Sequence, residues 1–382
     1  MKFPKPRLLL LAATLALSVT LPAHAKARHA KPAPAPPPQP LGPRPAVVAF
    51  ADELAAAQGW DAAALREQLS QALDLPRVKQ LILPAAGGTA KNWAAYRDRF
   101  IEPRRVEAGL AFWAENEAAL ARAESRYGVP AEVVIGILGV ETFYGRITGG
   151  FKVLDALATL AFDFPTEHPR AADRQTFFRS ELAEFLRLCR ENGLAPEDVR
   201  GSYAGALGLP QFMPGSWRRH AVDFDGDGRI DLIASPADAI GSVAHYLSEY
   251  GWQPGQTTHY SVKLPSSRHE RARLLAPDIK PTFTAAELLA AGAQPSEAAR
   301  EHDGPMAVIE LQNGPKKPTT VVLGTQNFWV VTRYNWSAYY AMAVIELGQA
   351  VKARRPPSTP APSSPPAPAT PPSGPPAASA PS

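Results

Sequence analysis

Residues 128–145 read Gly-Val-Pro-Ala-Glu-Val-Val-Ile-Gly-Ile-Leu-Gly-Val-Glu-Thr-Phe-Tyr-Gly and lie about a third of the way along the 382-residue chain. Pro130 suits the first turn of a helix, where its missing N–H is not needed, and Gly145 suits the residue just past the end. The stretch therefore predicts one buried helix, and the rest of the chain is organised around it.

A carboxylate interrupts the apolar face of this helix. Val134, Ile137, Leu138 and Glu141 stand at helical spacing, so Glu141 shares a face with three aliphatic side chains. An apolar pocket without a compensating cation raises the pKa of a carboxyl group and keeps its proton on near neutral pH. A general acid needs this property, and Glu141 is therefore the candidate catalytic residue. The alternative is a structural glutamate hydrogen-bonded in the core.

The N-terminus has the features of a secretory signal peptide. Three cations precede an apolar run over residues 8–21, and Ala-His-Ala at 23–25 is a typical cleavage site. We therefore expect residues 1–25 to be removed and the mature chain to start at Lys26. The run is shorter than the ~20 residues that span a bilayer, so no transmembrane segment is expected in the mature chain.

Cys189 is the only cysteine of the sequence. Lipid attachment needs a cysteine directly after the cleavage site, so we expect a soluble, exported periplasmic protein and not a lipoprotein. Cys189 lies at helical spacing with neighbouring Phe and Leu residues, which predicts a thiol in the core. A single cysteine also excludes an intrachain disulfide framework.

Composition divides the chain into a folded region and two spacers. Residues 26–45 are rich in Pro and Ala, and residues 356–382 contain only Pro, Ser, Thr, Ala and Gly, so both are predicted to be disordered. Residues 46–350 hold 30 Lys and Arg against 36 Asp and Glu, a net charge of −6. Nucleic acids are bound through clustered Lys and Arg, so no nucleic-acid partner is expected.

The folded region is predicted to be mainly α, with a small β-containing subdomain inserted at about residues 260–332. Helices are expected at residues 47–57, 105–123, 154–160, 175–190 and 337–351. Short β-branched or aromatic runs at residues 306–311, 319–323 and 328–332 predict the strands of the subdomain. The predicted class is thus α+β with a large excess of helix.

Residues 202–217 form a second stretch of interest, Ser-Tyr-Ala-Gly-Ala-Leu-Gly-Leu-Pro-Gln-Phe-Met-Pro-Gly-Ser-Trp. Its small residues permit close approach of the backbone to another helix or to a ligand. Gln211 presents an amide that donates and accepts hydrogen bonds, which suits sugar hydroxyl and acetamido groups. Tight packing of the chain is the alternative interpretation.

The residues from 223 to 238 open with Asp223-Phe-Asp225-Gly-Asp227-Gly-Arg229, the pattern of an EF-hand-like calcium loop. The twelfth position holds Ala234 where the pattern has a bidentate glutamate. Asp238 is predicted to supply the missing carboxylate, with a backbone carbonyl from Arg229. A structural Ca²⁺ is therefore expected, and a solvated acidic turn is the alternative.

The sequence shows no HExxH motif, no Gly-x-Ser-x-Gly and no phosphate loop, so no organic cofactor is expected. Several runs instead resemble the membrane-bound lytic transglycosylase B family of peptidoglycan-cleaving enzymes. They are Gly139-Val-Glu-Thr-Phe-Tyr-Gly145, Leu154-Asp-Ala-Leu-Ala-Thr-Leu160, Gly205-Ala-Leu-Gly-Leu-Pro-Gln-Phe-Met-Pro214, Ala221-Val-Asp-Phe-Asp-Gly-Asp-Gly228, Asp238-Ala-Ile-Gly-Ser-Val-Ala244 and Thr332-Arg-Tyr-Asn335.

The resemblance implies a lysozyme-like core, an N-terminal helical domain, a small β-domain and a calcium loop. It implies cleavage of the bond between N-acetylmuramic acid and N-acetylglucosamine with formation of 1,6-anhydro ends, with Glu141 as the single acid and base. Peptidoglycan glycan strands would be the substrate, and cell-wall synthesis or divisome proteins are candidate partners that no motif identifies. The implied substrate-binding residues are Ser202, Gln211, Tyr96, Arg174, Tyr246, Tyr334, Asn335 and Tyr340.

Other interpretations stay open at this point. Phe143 stands where the family pattern has a basic residue, and Glu124-Ser125 resembles the catalytic pair of another transglycosylase family. Lysozyme-type hydrolysis to a reducing end is a second reaction that one carboxylic acid can start. A noncatalytic peptidoglycan-binding scaffold is the alternative outside enzymes, although a binding module has no use for a desolvated acid.

Overall fold

The computed structural model describes residues 37–84, 91–315 and 317–356. The predicted signal peptide, linker residues 26–36 and tail residues 357–382 lie outside the described residues. Helices dominate the described part of the chain. They are α1 Pro45–Gln58, α2 Ala62–Gln71, α3 Pro76–Ile82, α4 Trp93–Arg97, α5 Pro103–Glu115, α6 Glu117–Tyr127, α7 Ala131–Thr142, α8 Val153–Phe162, α9 Ala171–Glu191, α10 Pro214–His220, α11 Pro236–Glu249, α12 Arg268–Leu275, α13 Ala285–Ala290, α14 Glu297–Arg300, α15 Gln326–Thr332 and α16 Ala338–Ala353.

The predicted central helix is α7, and nearly all of its residues are buried. It ends at Thr142, because Phe143, Tyr144 and Gly145 all take left-handed conformations with φ of 53°, 58° and 84°. Two consecutive non-glycine residues in this region are uncommon and mark a backbone held by its surroundings. The abrupt end places Glu141 in the last turn of the helix.

Helix α16 packs antiparallel against α7 at a very short distance. A Cβ atom on Gly136 would lie 2.1 Å from the Val344 carbonyl oxygen, and one on Gly348 would lie 2.0 Å from that of Glu132. Only glycine permits this approach of two backbones. The pairing of positions 132 with 348 and 136 with 344 brings the first turn of α16 to the last turn of α7.

One large apolar core surrounds these two helices, and it includes the predicted thiol. Cys189 on α9 is free and fully buried beside Phe178 and Phe185, and burial raises its pKa to about 12. The prediction of a core cysteine is confirmed. Among the described residues, no helix is long and apolar enough to cross a membrane.

The β-containing subdomain has its own small core around Leu274, Leu288, Met306 and Leu323. The strands of the described residues are β1 Gln39–Pro40, β2 Leu73–Asp74, β3 Phe151–Lys152, β4 Arg200–Gly201, β5 His259–Lys263, β6 Gln294–Pro295, β7 Ala307–Leu311 and β8 Thr320–Gly324. The sheet of the subdomain has the order β6-β5-β8-β7, and every neighbouring pair is antiparallel.

Two predicted elements are wrong. The helix expected at 105–123 is interrupted at Asn116 (φ −119°, ψ 22°), which ends α5 and precedes α6. Residues 328–332 form helix α15 and not a strand, because Thr325 caps that helix by accepting the N–H of Asn327. Phe328 packs into the main core, so the sheet of the subdomain ends at Gly324.

The predicted spacer at 26–45 extends too far into the fold. Gln39 and Pro40 pair with Asp74 and Leu73, and Leu41 is buried in the main core. The Pro- and Ala-rich composition of the segment predicted disorder, but the strand pairing of two residues and the burial of Leu41 are enough to anchor its end to the fold. Helix α1 then begins at Pro45.

Candidate active site

The pKa of the Glu141 carboxyl group is shifted toward neutral pH. Its side chain is of intermediate exposure, but protein atoms crowd around the carboxyl group, and this desolvation raises its pKa to about 7. Tyr340 Oη donates a hydrogen bond of 2.6 Å to Glu141 Oε1, which favours the ionised form and offsets part of the rise in pKa. Neither influence comes from a second carboxyl group. Near neutral pH both protonation states are populated, so this group can give and take a proton.

Buried tyrosines form the apolar surroundings of Glu141. The rings of Tyr340 and Tyr334 stack with centroids 6.3 Å apart, and Tyr246 meets Tyr334 edge-on at 5.1 Å. Tyr334 Oη donates to the carbonyl oxygen of Pro210 at 2.7 Å, and Tyr246 Oη donates to a backbone carbonyl at 2.8 Å. Because each hydroxyl group is hydrogen-bonded, the rings are fixed in place while they exclude water from the carboxyl group.

Tyr96 reaches the same region from α4. Its ring stacks on Trp93 at 6.3 Å and meets Tyr339 at 90° and 6.0 Å. Burial and the negative charge of Glu141 raise the pKa of the Tyr96 hydroxyl to about 12. Tyr96 therefore lies close enough to Glu141 for that charge to affect its pKa, and its hydroxyl group stays protonated at neutral pH.

Thr142 ties the end of α7 to the loop that carries Gln211. Its Oγ1 donates to the Leu209 carbonyl oxygen at 2.8 Å and accepts the Gly145 N–H at 3.0 Å. The Pro210 carbonyl oxygen accepts the bond from Tyr334, so the loop is held on two sides. Sequence reasoning missed this role, and the only signal was the Glu-Thr pair itself.

Gln211 adopts a left-handed backbone conformation with φ of 52°. Its Nε2 donates to the carbonyl oxygens of Thr148 and Gly208, at 3.0 and 2.9 Å. These bonds fix the orientation of the amide group. Ser202 Oγ accepts the N–H of Ala206 at 2.9 Å, so its hydroxyl oxygen shapes the start of the same loop.

Arg174 and Asn335 occupy buried positions on other elements. The Arg174 guanidinium lies 5.0 Å from the centroid of Phe177 and 4.8 Å from that of Phe178, and burial lowers its pKa. The carbonyl oxygen of Asn335 accepts the Ser337 N–H in the turn before α16. Ser337 then caps α16, which carries Tyr340.

Phe143 departs from the family pattern, and its ring is enclosed by two cations. Arg105 lies 4.7 Å and Arg146 5.1 Å from the ring centroid. Arg105 Nη1 also donates to the Gly139 carbonyl oxygen at 2.6 Å, at the negative end of the α7 dipole. Sequence reasoning missed Arg105, because it lies 34 positions before Gly139.

Glu124 is exposed and has a structural contact at the other end of α7. Its Oε2 accepts the N–H of Ala131, the first residue of that helix. Ten residues separate Ala131 from Glu141, a rise of about 15 Å. The geometry therefore favours Glu141 over Glu124 as the acid of this site.

The acidic loop brings three carboxylates together. Oxygen atoms of Asp223, Asp225 and Asp227 all lie within 4.8 Å of one another. Hard oxygen donors at this spacing are the ligands that Ca²⁺ prefers, so the donor set fits that ion. Arg229 follows in the loop, with its N–H donated to Asp227 Oδ1 at 2.8 Å.

Asp238 is not one of these three carboxylates, and its role as a further ligand stays a prediction. Its Oδ1 accepts the Phe224 N–H at 2.7 Å, and its Oδ2 accepts the Asp231 N–H at 2.7 Å. The carboxyl group is buried, and these bonds hold the two ends of the loop together. Its observed role is to shape the loop.

Comparisons with known proteins identify the family of the chain. Residues 43–349 match the family model described as the transglycosylase SLT domain. The chain is 39% identical over 319 residues to membrane-bound lytic murein transglycosylase B of Escherichia coli K12, covering 81% of this chain and 84% of that protein.

Solved structures of similar proteins have the same fold. Soluble lytic transglycosylase SltB1 of Pseudomonas aeruginosa superposes with a TM-score of 0.71 at 39% identity, over 81% of this chain and 99% of that chain. Slt35 of Escherichia coli, solved in complex with calcium, gives a TM-score of 0.70 at 38% identity, over 82% of this chain and 96% of that chain. The predicted mainly α fold with a lysozyme-like core is confirmed. The chain therefore belongs to the transglycosylase SLT-domain family.

Proposed function

We propose that Glu141 is the single catalytic acid and base of this protein, a lytic transglycosylase of peptidoglycan. One observation carries the assignment: burial raises the pKa of this carboxyl group to about 7, and Tyr340 orients it by a hydrogen bond. A group of this pKa is matched to proton transfer at neutral pH. Hydrolytic glycosidases usually employ two carboxylates, whereas transglycosylation to an anhydro product uses one group twice.

The proposed reaction has two steps. Protonated Glu141 gives its proton to the oxygen between N-acetylmuramic acid and N-acetylglucosamine, and the bond from C1 to that oxygen breaks while the acetamido carbonyl oxygen bonds to C1. The Glu141 carboxylate then takes the proton of the muramoyl C6 hydroxyl group. The C6 oxygen displaces the acetamido oxygen at C1, which closes the 1,6-anhydro ring and leaves Glu141 protonated for the next cycle.

The tyrosines and the amide are proposed to bind the glycan around the carboxyl group. The partly exposed ring of Tyr96 can stack on a sugar face, the buried tyrosines support the groove around the carboxyl group, and the fixed amide of Gln211 matches an acetamido group or a hydroxyl group. Water near C1 would compete with the C6 hydroxyl group, so the apolar tyrosine surroundings favour ring closure. The proposed substrate-binding residues are Ser202, Gln211, Tyr96, Arg174, Tyr246, Tyr334, Asn335 and Tyr340.

We further propose that Asp223, Asp225 and Asp227 hold Ca²⁺ together with the Arg229 carbonyl oxygen, with Asp238 as the further carboxylate that the sequence predicts. The loop joins the segment after α10 to α11, and α11 carries Tyr246. The ion would supply structural stability and no step of the reaction. Residues 1–25 are proposed to export the protein to the periplasm without a lipid anchor, and the Pro-rich ends are proposed to be spacers.

Mass spectrometry of the muropeptides released from purified sacculi tests the catalytic assignment. The wild-type protein should release fragments with 1,6-anhydro ends, and Glu141→Gln should release none. Reducing ends would show lysozyme-type hydrolysis, and no release by the folded wild-type protein would indicate a binding scaffold. Glu124→Gln is the matched control, because it removes a carboxylate at the far end of α7. It should leave the product pattern unchanged.

A further inference from the structure

One face of α5 lies against the last turn of α7, the turn that carries the proposed acid. Arg105, Gly109 and Phe112 stand at helical spacing on this face. Arg105 Nη1 donates to the Gly139 carbonyl oxygen at 2.6 Å, two residues before the acid. The same carbonyl oxygen accepts the Phe143 N–H at 3.2 Å. Arg105 is therefore bonded to the group that also closes the end of the helix.

The turn after α7 holds two residues in a conformation that L side chains rarely adopt. Phe143 and Tyr144 have φ of 53° and 58°, so their surroundings must hold them there. The Tyr144 ring lies where both helices have glycine. A Cβ atom on Gly109 would lie 2.4 Å from the Tyr144 hydroxyl oxygen, and one on Gly139 would lie 2.6 Å from it. Phe112 stacks on the same ring with centroids 5.4 Å apart, so α5 helps to hold the turn.

Arg105 contacts the other residue of the turn through its flat guanidinium group. This group lies 4.7 Å from the ring centroid of Phe143 and 5.3 Å from that of Phe100. Among the described residues, Arg105 forms no ion pair with a carboxylate. Burial lowers the pKa of its guanidinium group, and the charge of Glu102 opposes this effect. The two rings and the negative end of the α7 dipole therefore stabilise this partly buried cation.

The groups that interact with the Glu141 carboxyl group come from other elements. Tyr340 on α16 donates a hydrogen bond to it, and its charge raises the pKa of Tyr96 on α4 and of Tyr334 after α15. Burial and the bond from Tyr340 account for the pKa of Glu141 itself. An influence of Arg105 on Glu141 must therefore pass through the backbone of α7.

We propose that Arg105 is a positioning residue of the active site. Its bond to Gly139 and its contact with Phe143 hold the last turn of α7. This turn in turn keeps the Glu141 carboxyl group within hydrogen-bonding distance of Tyr340, a bond that a small displacement would weaken. The inference rests on the proposed function, because the position of Glu141 matters to the reaction only if Glu141 is the acid.

A double-mutant cycle on the full-length protein tests the proposal, with the measured pKa of Glu141 as its readout. Carbon NMR follows the titration of isotope-labelled glutamate carboxyl groups, and the signal that is missing from Glu141→Gln identifies Glu141. In the wild-type background, Tyr340→Phe should raise this pKa by about one unit. In the Arg105→Met background, the same change should raise it by less than about half a unit, because the bond from Tyr340 is already weakened.

Arg104→Met is the matched control, because Arg104 is the neighbouring cation on α5 and is exposed. In its background Tyr340→Phe should have the full effect, and equal effects in the Arg104→Met and Arg105→Met backgrounds overturn the proposal. Melting curves identify the folded variants. If Arg105→Met does not fold, Arg105→Lys replaces it, since lysine keeps the charge but lacks the flat group that contacts two rings. A reduced effect of Tyr340→Phe in that background supports the proposal, and a full effect overturns it.

Failure of this proposal is distinguishable from failure of the proposed function, because the cycle does not depend on cleavage. Release of 1,6-anhydro ends from sacculi by the wild-type protein, together with equal effects in the cycle, leaves the catalytic assignment standing and removes the role of Arg105. Absence of anhydro ends together with a reduced effect contradicts the catalytic assignment, and with it the role of Arg105 in the reaction, although the contact through α7 remains.

Discussion

Tyr340 donates a 2.6 Å hydrogen bond to the carboxyl group of Glu141, although the two residues are 199 positions apart in the chain. The contact exists because α16 lies antiparallel on α7, with glycines at positions 136 and 348 allowing the two backbones to meet. Burial alone would raise the pKa of Glu141 further, and the tyrosine limits that rise. The packing of α16 on α7 thereby keeps the pKa of Glu141 near neutral pH.

Tyr340→Phe should raise the pKa of Glu141 above about 7, because the hydrogen bond that favours the carboxylate is lost. One hydrogen bond to a charged group corresponds to about one pKa unit. The alkaline limb of the pH profile of kcat/KM should therefore move to higher pH by about one unit. Tyr334→Phe is the control, since its hydroxyl group bonds to Pro210 and not to Glu141. An alkaline limb that stays in place in Tyr340→Phe would contradict this coupling.

Glu141→Gln should abolish cleavage, by at least ~10² to 10⁴-fold, because an amide of the same shape delivers no proton. It should also stabilise the protein at alkaline pH. The folded pKa of about 7 exceeds the ordinary value of 4.5, so the folded state binds the proton more tightly than the unfolded state. Stability is then lost as pH rises from 4.5 to 7, on the order of 2 kcal/mol for this partly exposed group. The difference in melting temperature between Glu141→Gln and the wild type should therefore increase, in favour of the variant, from pH 5 to pH 8.

Glu181→Gln is a matched control for that prediction. Burial raises the pKa of Glu181 to about 7 as well, and its Oε2 accepts the Gly215 N–H at 2.8 Å, a bond that a Gln side-chain oxygen can keep. The variant should gain stability at pH 8 in the same way and still cleave sacculi. If both variants lost cleavage equally, the activity loss in Glu141→Gln would reflect altered charge in the core and not a missing acid.

Features that depend on neighbouring residues could be predicted from the sequence, whereas features that depend on contacts between distant segments could not. Three features were predictable because they depend on short segments of sequence. They are the position of Glu141 on a buried helix, the end of α7 near Gly145 and the spacing of the three loop aspartates. Helix α15 could not be predicted in this way. Its aromatic and β-branched residues favour a strand, whereas the Thr325 cap and the packing of Phe328 in the main core stabilise a helix. Tertiary packing overrides propensity in such short elements.

Contacts between distant segments were also beyond prediction. The resemblance placed Tyr340 near the groove, but no pattern in the sequence indicated its bond to Glu141 or the bond from Thr142 to Leu209. The hydrogen bonds of Asp238 were beyond prediction for the same reason. Its carboxyl group has the spacing of a loop ligand, and only the folded backbone shows that it accepts the N–H groups of Phe224 and Asp231.

Gly136→Ala should destabilise the protein strongly, since the new methyl group would lie 2.1 Å from the Val344 carbonyl oxygen. Overpacking of a core costs about 1 to 3 kcal/mol and more where a backbone must move. Separation of α7 from α16 should also weaken the bond from Tyr340 to Glu141 and lower activity. Thermal melting checks the first effect, with Gly150→Ala as control because no atom lies within 4 Å of a Cβ at that position. Equal melting temperatures of the two variants would contradict the close crossing.

Removal of Ca²⁺ should lower the melting temperature without stopping catalysis below it. If the ion binds Asp223, Asp225 and Asp227 in the folded state alone, it stabilises that state by about 2.7 kcal/mol at a concentration a hundredfold above its dissociation constant. Asp225→Asn should therefore melt, in the presence of Ca²⁺, like chelated wild-type protein. The amide oxygen of the variant side chain can still accept the hydrogen bond from Ser235, so a lower melting temperature reports the loss of the ion and not the loss of this loop contact.

Asp303→Asn serves as the control for that variant, because Asp303 is exposed and lies outside the loop. Its melting temperature should respond to chelator as the wild type does. Since the three carboxylates belong to the loop before α11 and Glu141 belongs to α7, kcat measured below the new melting point should persist in Asp225→Asn. Melting curves of metal-free protein that do not change on addition of Ca²⁺ would leave the three aspartates as a solvated turn. A loss of kcat in the folded variant would instead extend the influence of the loop, through α11 and Tyr246, to the tyrosines around Glu141.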